Sequence, residues 1–542
     1  MIRPRLQNVS SHTTKILVSD DVSDSGLQPL RDAGFSVEKK TGLSPDELRE
    51  ALRDAEGLIV RSETKVTANL MDAADKVRVI GRAGVGVDNI DVPAATTRGI
   101  VVMNAPDGNT ITTAEHTIAL LVALARNVPQ ANSSVKAAKW ERKRFIGAEL
   151  QRKTLGIIGL GRIGCAVAVR ARAFGMKIVA HDPFIAPEQA RDLEVECASL
   201  DEVFARADFL TVHTPLTNET RGIVGRDALA KMKKGARVIN CARGGLIDEQ
   251  ALYEAIKAGI VAGAALDVFE QEPPPADHPL LSLDQVIVTP HLGASTTEAQ
   301  EGVAFTVAEQ VRDFLLTGAL RGAVNVPALG AKELNLLQPY LALAESLGRF
   351  HAQIVNGAVR EVHLSFAGEV VEVDAAPVTR AFLAGLLRDV SARVNVVNAF
   401  LIAEERGIAV NTSYIRGAAD LAPSIQTRVI ADTAEERISG TIFGYANTRH
   451  GRITDINGFR IEAIPQGHML VMHNRDVPGV IGRVGTILGE CGINISAFHL
   501  GRRERGGEAM ALIELDAPVP GHTLQRLLSS EGILSVRQVK LR

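Results

Sequence analysis

Between Lys15 and about Val326, short apolar runs rich in β-branched residues alternate with longer stretches of helical period. The runs are KILVSD (15–20), GLIVRS (57–62), VRVIGRAG (77–84), GIVVMNAP (99–106) and TLGIIGLG (154–161). They continue with KIVAHDP (177–183), FLTVHTP (209–215), ARVINCAR (236–243), AALDVFE (264–270) and VIVTPHL (286–292). Most are continuously apolar rather than alternating, the pattern of strands covered on both faces by helices. Strand and helix in strict alternation predict parallel, doubly wound α/β architecture.

Two longer helices interrupt this rhythm. In 112–128, Ile118, Leu121, Val122 and Ala125 fall at helical spacing, and Pro129 follows as a stop. The stretch 295–318 is also helical and ends at a glycine. The character changes after NVPAL (325–329), where a long helical stretch, 332–355, leads into strand-like pieces up to about 465. From His468 the order is strand, helix, strand, strand, helix, strand, a separable βαββαβ module.

Length and composition restrict the function without choosing it. A chain of 542 residues is too long for one core, and 46% hydrophobic with 23% charged residues is ordinary for a globular protein. A net charge of -3 gives no reason to expect nucleic acid or an anionic membrane as partner. No secretory signal and no apolar run of about 18 residues is present, so a cytoplasmic location is expected. Cys165, Cys197, Cys241 and Cys491 are far apart, which argues against disulfides or a metal site. The first fourteen residues are expected to be a leader with no assigned role.

The strongest local signal is Gly159-Leu160-Gly161-Arg162-Ile163-Gly164, after an apolar strand and opening a helix. Gly159 permits the tight turn, Gly161 lets the backbone approach a pyrophosphate, and Gly164 lets helix and strand pack closely. The next strand ends in Asp182, 18 residues beyond Gly164, where a carboxylate accepts ribose hydroxyls and repels a 2′-phosphate. NAD is therefore the expected cofactor. Further along, three strand ends carry reactive groups: CARGG (241–245), DVFEQEPP (267–274) and TPHLGAS (289–295). His291 suits proton abstraction from a hydroxyl, and Arg243 suits a bidentate grip on a carboxylate. Either Glu270 or Glu272 could orient the imidazole, and composition does not separate them.

The set GLGRIG, CARGGLIDE, ALDVFEQEPP and PHLGAST resembles the D-isomer-specific 2-hydroxyacid dehydrogenase family. The resemblance implies Arg243, Glu272 and His291 as catalytic residues. It also implies cofactor contacts at Arg162, Ile163, Asp182, Thr214, Cys241, Ala242, Asp267, Gly293 and Ala294. The segments LIVRSET, GRAGVGVDNIDVPAATTRGI, NAPDGNTITTAEH and KWERKRFIGAEL resemble the branch of that family whose substrate is D-3-phosphoglycerate. That implies NAD-dependent oxidation to 3-phosphohydroxypyruvate, the first step of L-serine biosynthesis. Arg61, Arg82, Val85 and Asn109 should then face substrate, and Arg142 should reach the cleft of a partner subunit.

The family fold implies a discontinuous flavodoxin-like substrate lobe (1–103 and 297–327) and a Rossmann-type nucleotide lobe (104–296). An intervening α+β domain (328–466) and a ferredoxin-like module (467–542) follow, the latter resembling the amino-acid-binding ACT domain. Asn474, Asp476 and Asn494 are its candidate effector residues, with L-serine the implied effector, and a homo-oligomer, dimer or tetramer, is expected. Two other readings share the motifs: a glyoxylate or hydroxypyruvate reductase, and a non-catalytic NAD-sensing adaptor. The long extension beyond Pro327 speaks against the first and the ACT-like module against the second.

Overall fold

The computed structural model describes residues 13–327, 331–372, 374–391, 393–415, 424–444 and 449–541. The leader expected for the first fourteen residues thus lies outside the described residues as far as residue 12. Four sheets are built in succession along the chain.

The first is fully parallel, in spatial order Ser36–Lys39, Lys15–Val18, Gly57–Val60, Val79–Arg82 and Val101–Asn104. Its central strand, Gly57–Val60, is buried along its whole length, as the continuous apolar run predicts. The helix Thr297–Thr317 returns to pack on this sheet through Val303, Ala304, Val307 and Val311. It stops where Gly318 turns left-handed (φ 80°). Ser36–Lys39 was not evident from pattern, because this edge strand buries no side chain fully and carries no apolar run.

The second sheet is also parallel: Val286–Val288, Val261–Leu266, Ala236–Asn240, Phe209–Val212, Thr154–Ile158, Lys177–His181 and Glu196–Cys197. Strand order reverses between Phe209–Val212 and Thr154–Ile158, and ligands bind in the crevice at such a switch point. The helix Thr110–Arg126 packs against this lobe. It ends at Asn127 (φ 53°), and Pro129 lies in the first turn of a second helix, Val128–Lys136, rather than terminating the first.

The third sheet is mixed, six strands from Ala409–Ile415 to Phe459–Ala463, covered by the helix Ala331–Ile354. Leu337, Tyr340, Leu343, Leu347 and Phe350 form the buried stripe of that helix at helical spacing. The fourth sheet is antiparallel: Ile495–Arg502, Glu508–Leu515, His468–Arg475 and Ile533–Lys540. Leu470 and Met472 face its two helices, Val480–Glu490 and Gly521–Leu528, while the alternate residues Met469 and Val471 join the core of the third sheet. No helix among the described residues is long and apolar enough to cross a membrane.

Candidate active site

The strand Thr154–Ile158 runs into Gly159, which is left-handed (φ 94°), and the helix Arg162–Ala173 begins three residues later. A Cβ at Gly164 would overlap the Gly159 carbonyl oxygen, so only glycine allows helix and turn to approach this closely. At Gly161 a Cβ would meet nothing within 4 Å, leaving open space at the helix N-terminus where an anion is favoured. Asp182 braces the same turn, its two oxygens accepting the N–H groups of Leu160 (2.7 Å) and Phe184 (2.8 Å).

A cleft of about 460 Å³ opens between the two parallel sheets. Val85, Asn109, Gly161, Arg162, Ile163, Thr214, Cys241, Ala242, Arg243, His291, Gly293 and Ala294 are among the residues that line it. Thr214 Oγ1, Thr110 Oγ1, Asn109 Oδ1 and His213 Nδ1 are buried here without a hydrogen-bond partner among the described residues. Buried polar atoms left open in this way fit a polar ligand that completes them. His213, which sequence reasoning missed, is fully enclosed, and burial pushes its pKa down to about 4.

The loop after Val286–Val288 carries His291 with φ 54°. Its Nδ1 lies 2.8 Å from Glu272 Oε2. A carboxylate only accepts, so Nδ1 carries the proton and Nε2 is left as the basic nitrogen. Burial opposes charge on Glu272, yet the His291 ring and the Phe269 N–H (3.1 Å) outweigh it and hold its pKa below the ordinary glutamate value. Glu270 is directed elsewhere, its carboxylate 3.4 Å from Arg221.

Asp267 is closed off beneath this loop. One oxygen accepts from Thr289 Oγ1 (2.6 Å) and the Leu292 N–H (2.7 Å), and the other from the Gly293 N–H (2.8 Å). His116 adds a contact at 3.2 Å from the helix Thr110–Arg126. Burial works against the charged carboxylate, but His116, Thr289 and Leu292 together depress its pKa. Nothing in the local sequence marked His116, a lone histidine on an apolar helix.

Three guanidiniums converge from different segments. Arg82 ends the strand Val79–Arg82, and its Nε is buried without a partner among the described residues. Burial, then the nearby charges of Arg243 and Arg61, push its pKa down to about 10. Glycine spacing in GRAGVG makes the room: a Cβ at Gly84 would overlap Arg82 Nη1, and one at Gly86 would overlap Arg243 Nη2. Arg61 is held through its backbone N–H by Asp20 (2.5 Å). Arg142 is exposed in the turn Arg142–Phe145 and does not line this cleft of its own chain. Among the described residues no cluster of His, Cys, Asp or Glu could hold a metal.

The effector candidates are not brought together. Asn474 and Asp476 lie at one end of the fourth sheet, where Asn474 pairs with Ala509. Asn494 precedes Ile495, which pairs with Leu515 at the other end, about 20 Å away along the strand. Asn494 Nδ2 donates to Asp516 (2.8 Å), and Asp476 accepts from Arg502 (2.9 Å) and the Gly506 N–H (3.1 Å).

A dinucleotide turn, a switch-point cleft and a His–Glu pair facing an arginine define a nucleotide-dependent dehydrogenase of hydroxy acids. Residues 118–293 match the NAD binding domain of the D-isomer specific 2-hydroxyacid dehydrogenases, residues 336–457 the D-3-phosphoglycerate dehydrogenase intervening domain, and residues 468–532 the ACT domain. The D-3-phosphoglycerate dehydrogenase of Methanocaldococcus jannaschii is 46% identical over 529 residues, 97% of this chain and 100% of that one. That of Bacillus subtilis is 44% identical, over 97% of this chain and 99% of that one. The solved glyoxylate reductase of Paecilomyes thermophila is 31% identical with a TM-score of 0.53, over 58% of this chain and 98% of that one. The Aquifex aeolicus D-lactate dehydrogenase complexed with NAD and lactic acid is 29% identical with a TM-score of 0.50, over 56% of this chain and 96% of that one. The chain belongs to the D-3-phosphoglycerate dehydrogenase family, and its cofactor is NAD.

Proposed function

We propose that this protein oxidises D-3-phosphoglycerate to 3-phosphohydroxypyruvate with NAD, the first step of L-serine biosynthesis. The observation that carries the reading is that His291, bonded to Glu272, and Arg243 line one cleft, with Arg82 and Arg61 behind Arg243 and close enough for the three charges to act on one another. NAD supplies the hydride acceptor. His291 Nε2 takes the hydroxyl proton, and Glu272 stabilises the imidazolium through Nδ1. Arg243 grips the carboxylate and polarises the developing carbonyl. Arg82 and Arg61 meet the phosphate dianion, and the orphaned Arg82 Nε gains an acceptor. Thr214, Asn109 and the open N-terminus at Gly161 hold the cofactor and substrate side by side.

The four-part division (1–103 with 297–327, 104–296, 328–466 and 467–542) is part of this reading. So is a homo-oligomer, favoured by the exposed Trp140 and Ile146 that flank Arg142. An L-serine site made of Asn474, Asp476 and Asn494 needs two copies of the C-terminal module, because one copy separates them. Four free thiols accord with a reducing cytoplasm.

The test is NADH oxidation by purified protein with 3-phosphohydroxypyruvate, glyoxylate, hydroxypyruvate and 2-oxoglutarate, each with and without L-serine. Preference for the phosphorylated acid is expected. Turnover of an unphosphorylated acid alone would make the protein a reductase of the same mechanism, and NADH binding without turnover would make it an adaptor.

A further inference from the structure

Arg243, the guanidinium assigned to the substrate carboxylate, already holds a carboxylate. Its Nε donates to Asp88 Oδ2 at 3.1 Å, across the cleft from the loop that follows Val79–Arg82. Asp88 is largely exposed, with 73% of its side chain accessible, whereas Arg243 is at 30%. The other acid near this cluster, Asp20, is committed to the backbone N–H groups of Arg61 and Thr64. Gly86 stands between the two partners: a Cβ there would overlap Arg243 Nη2 and come within 2.8 Å of Asp88 Oδ2. The backbone is thus bare at the one place where the two side chains must meet.

We propose that Asp88 is a displaceable internal ligand for Arg243, occupying the place of the substrate's carboxylate between turnovers. The inference rests on the reading above, in which Arg243 binds that carboxylate. Three clustered guanidiniums repel one another, and Asp88 offsets that repulsion while the cleft holds no substrate. An incoming carboxylate exchanges for Asp88 on Arg243, and the released Asp88 turns to water, which its exposure permits. After the reaction Asp88 recaptures Arg243 and assists product release. The same arrangement recurs on the cofactor side of the cleft, where Asp107 lies 2.5 Å from Arg162 Nε, again a carboxylate on an arginine beside a ligand position.

The role makes a signature that other roles do not. Each substrate brings one carboxylate to Arg243, so losing the competitor should help charged and less charged substrates by the same factor. A through-space effect of removing one negative charge would instead favour the more highly charged phosphorylated acid. A role in orienting Arg243 would raise KM and lower kcat.

The experiment is steady-state reduction of hydroxypyruvate and 3-phosphohydroxypyruvate by the full-length wild type and Asp88→Asn, with oxalate titrated calorimetrically into the NAD-loaded proteins. The expected result is a fall of about two- to fivefold in both KM values by the same factor, with oxalate binding tightened equally and kcat unchanged or lower, the range expected for a partly exposed ion pair. Unchanged or raised KM values and oxalate affinity, or a fall confined to the phosphorylated acid, would overturn the proposal. If the wild type reduces hydroxypyruvate but not 3-phosphohydroxypyruvate, the substrate reading fails on its own. The effect of Asp88→Asn on hydroxypyruvate and oxalate still decides the role of Asp88. If neither acid is reduced, oxalate binding alone decides it.

Discussion

The carbonyl oxygen of Asp267 accepts the backbone N–H of His291 at 2.9 Å, while its carboxylate takes the next two N–H groups, those of Leu292 and Gly293. His291 is thereby held left-handed at φ 54°, a conformation that costs a non-glycine residue about 1–3 kcal/mol and persists only when its surroundings enforce it. The strand end at Asp267 and the loop bearing His291 form one rigid unit, with Thr289 and His116 closing it from the side.

Asp267→Asn should therefore loosen the His291 loop. An amide of the same shape offers one acceptor where the carboxylate uses both. We expect faster amide hydrogen exchange at Leu292 and Gly293 and a kcat lower by about 10-fold or more, the usual sensitivity of a misplaced catalytic group. Unchanged exchange at those two amides would contradict the clamp.

His291→Ala removes the proposed base without touching the dinucleotide turn. Turnover should fall by about 10²–10⁴-fold, the contribution of a positioned general base. NADH affinity, read by fluorescence titration, should stay nearly intact. Glu272→Gln keeps the shape but loses the acceptor's charge, so it should lie between this variant and wild type.

Gly86→Ala tests the room made for Arg243. The clash falls on the far end of a flexible side chain rather than on backbone, so the protein should fold with an unchanged melting temperature. Displacing the guanidinium should raise substrate KM by about tenfold, roughly 1.4 kcal/mol of lost binding. An unaltered KM would mean that Arg243 does not need its present position.

Acid should destabilise the domain built around Ala331–Ile354. His351 is fully buried there, bonded to Thr427 Oγ1 at 2.8 Å, and burial pushes its pKa from 6.5 down to about 3. The unfolded chain therefore binds a proton below about pH 6.5 that the folded chain refuses until about pH 3. Across that window stability falls as pH falls, by up to about 1.4 kcal/mol per pH unit for one such group. Melting temperatures from pH 7.5 to 5 check the sign. His351→Leu should flatten the dependence, since Thr427 keeps its bond to the Ile438 carbonyl.

Much of the fold was legible because its signals are local. The run at Gly57–Val60 and its neighbours in the two parallel sheets are continuously apolar, and every strand of the C-terminal module appears where the pattern placed it. The exceptions are edge strands such as Ser36–Lys39 and Glu196–Cys197, which face water and bury too little to leave a pattern. The helix boundary at Asn127 was blurred for a related reason: Pro129 both prevents one helix from continuing and favours the start of another.

The sequence by itself determined the dinucleotide turn, because the left-handed φ of Gly159 and the bare Cα of Gly164 are demands a few neighbouring residues make on one another. It also determined which residue types could do the chemistry. Only the tertiary structure decided how they are used. Asp267 clamps a loop, Asp88 sits on Arg243 from 155 positions away, and Asn494 stands a sheet's length from Asp476. Helical period and turn chemistry act over a few residues, whereas these pairings arise from how whole sheets face one another, and no local pattern carries that.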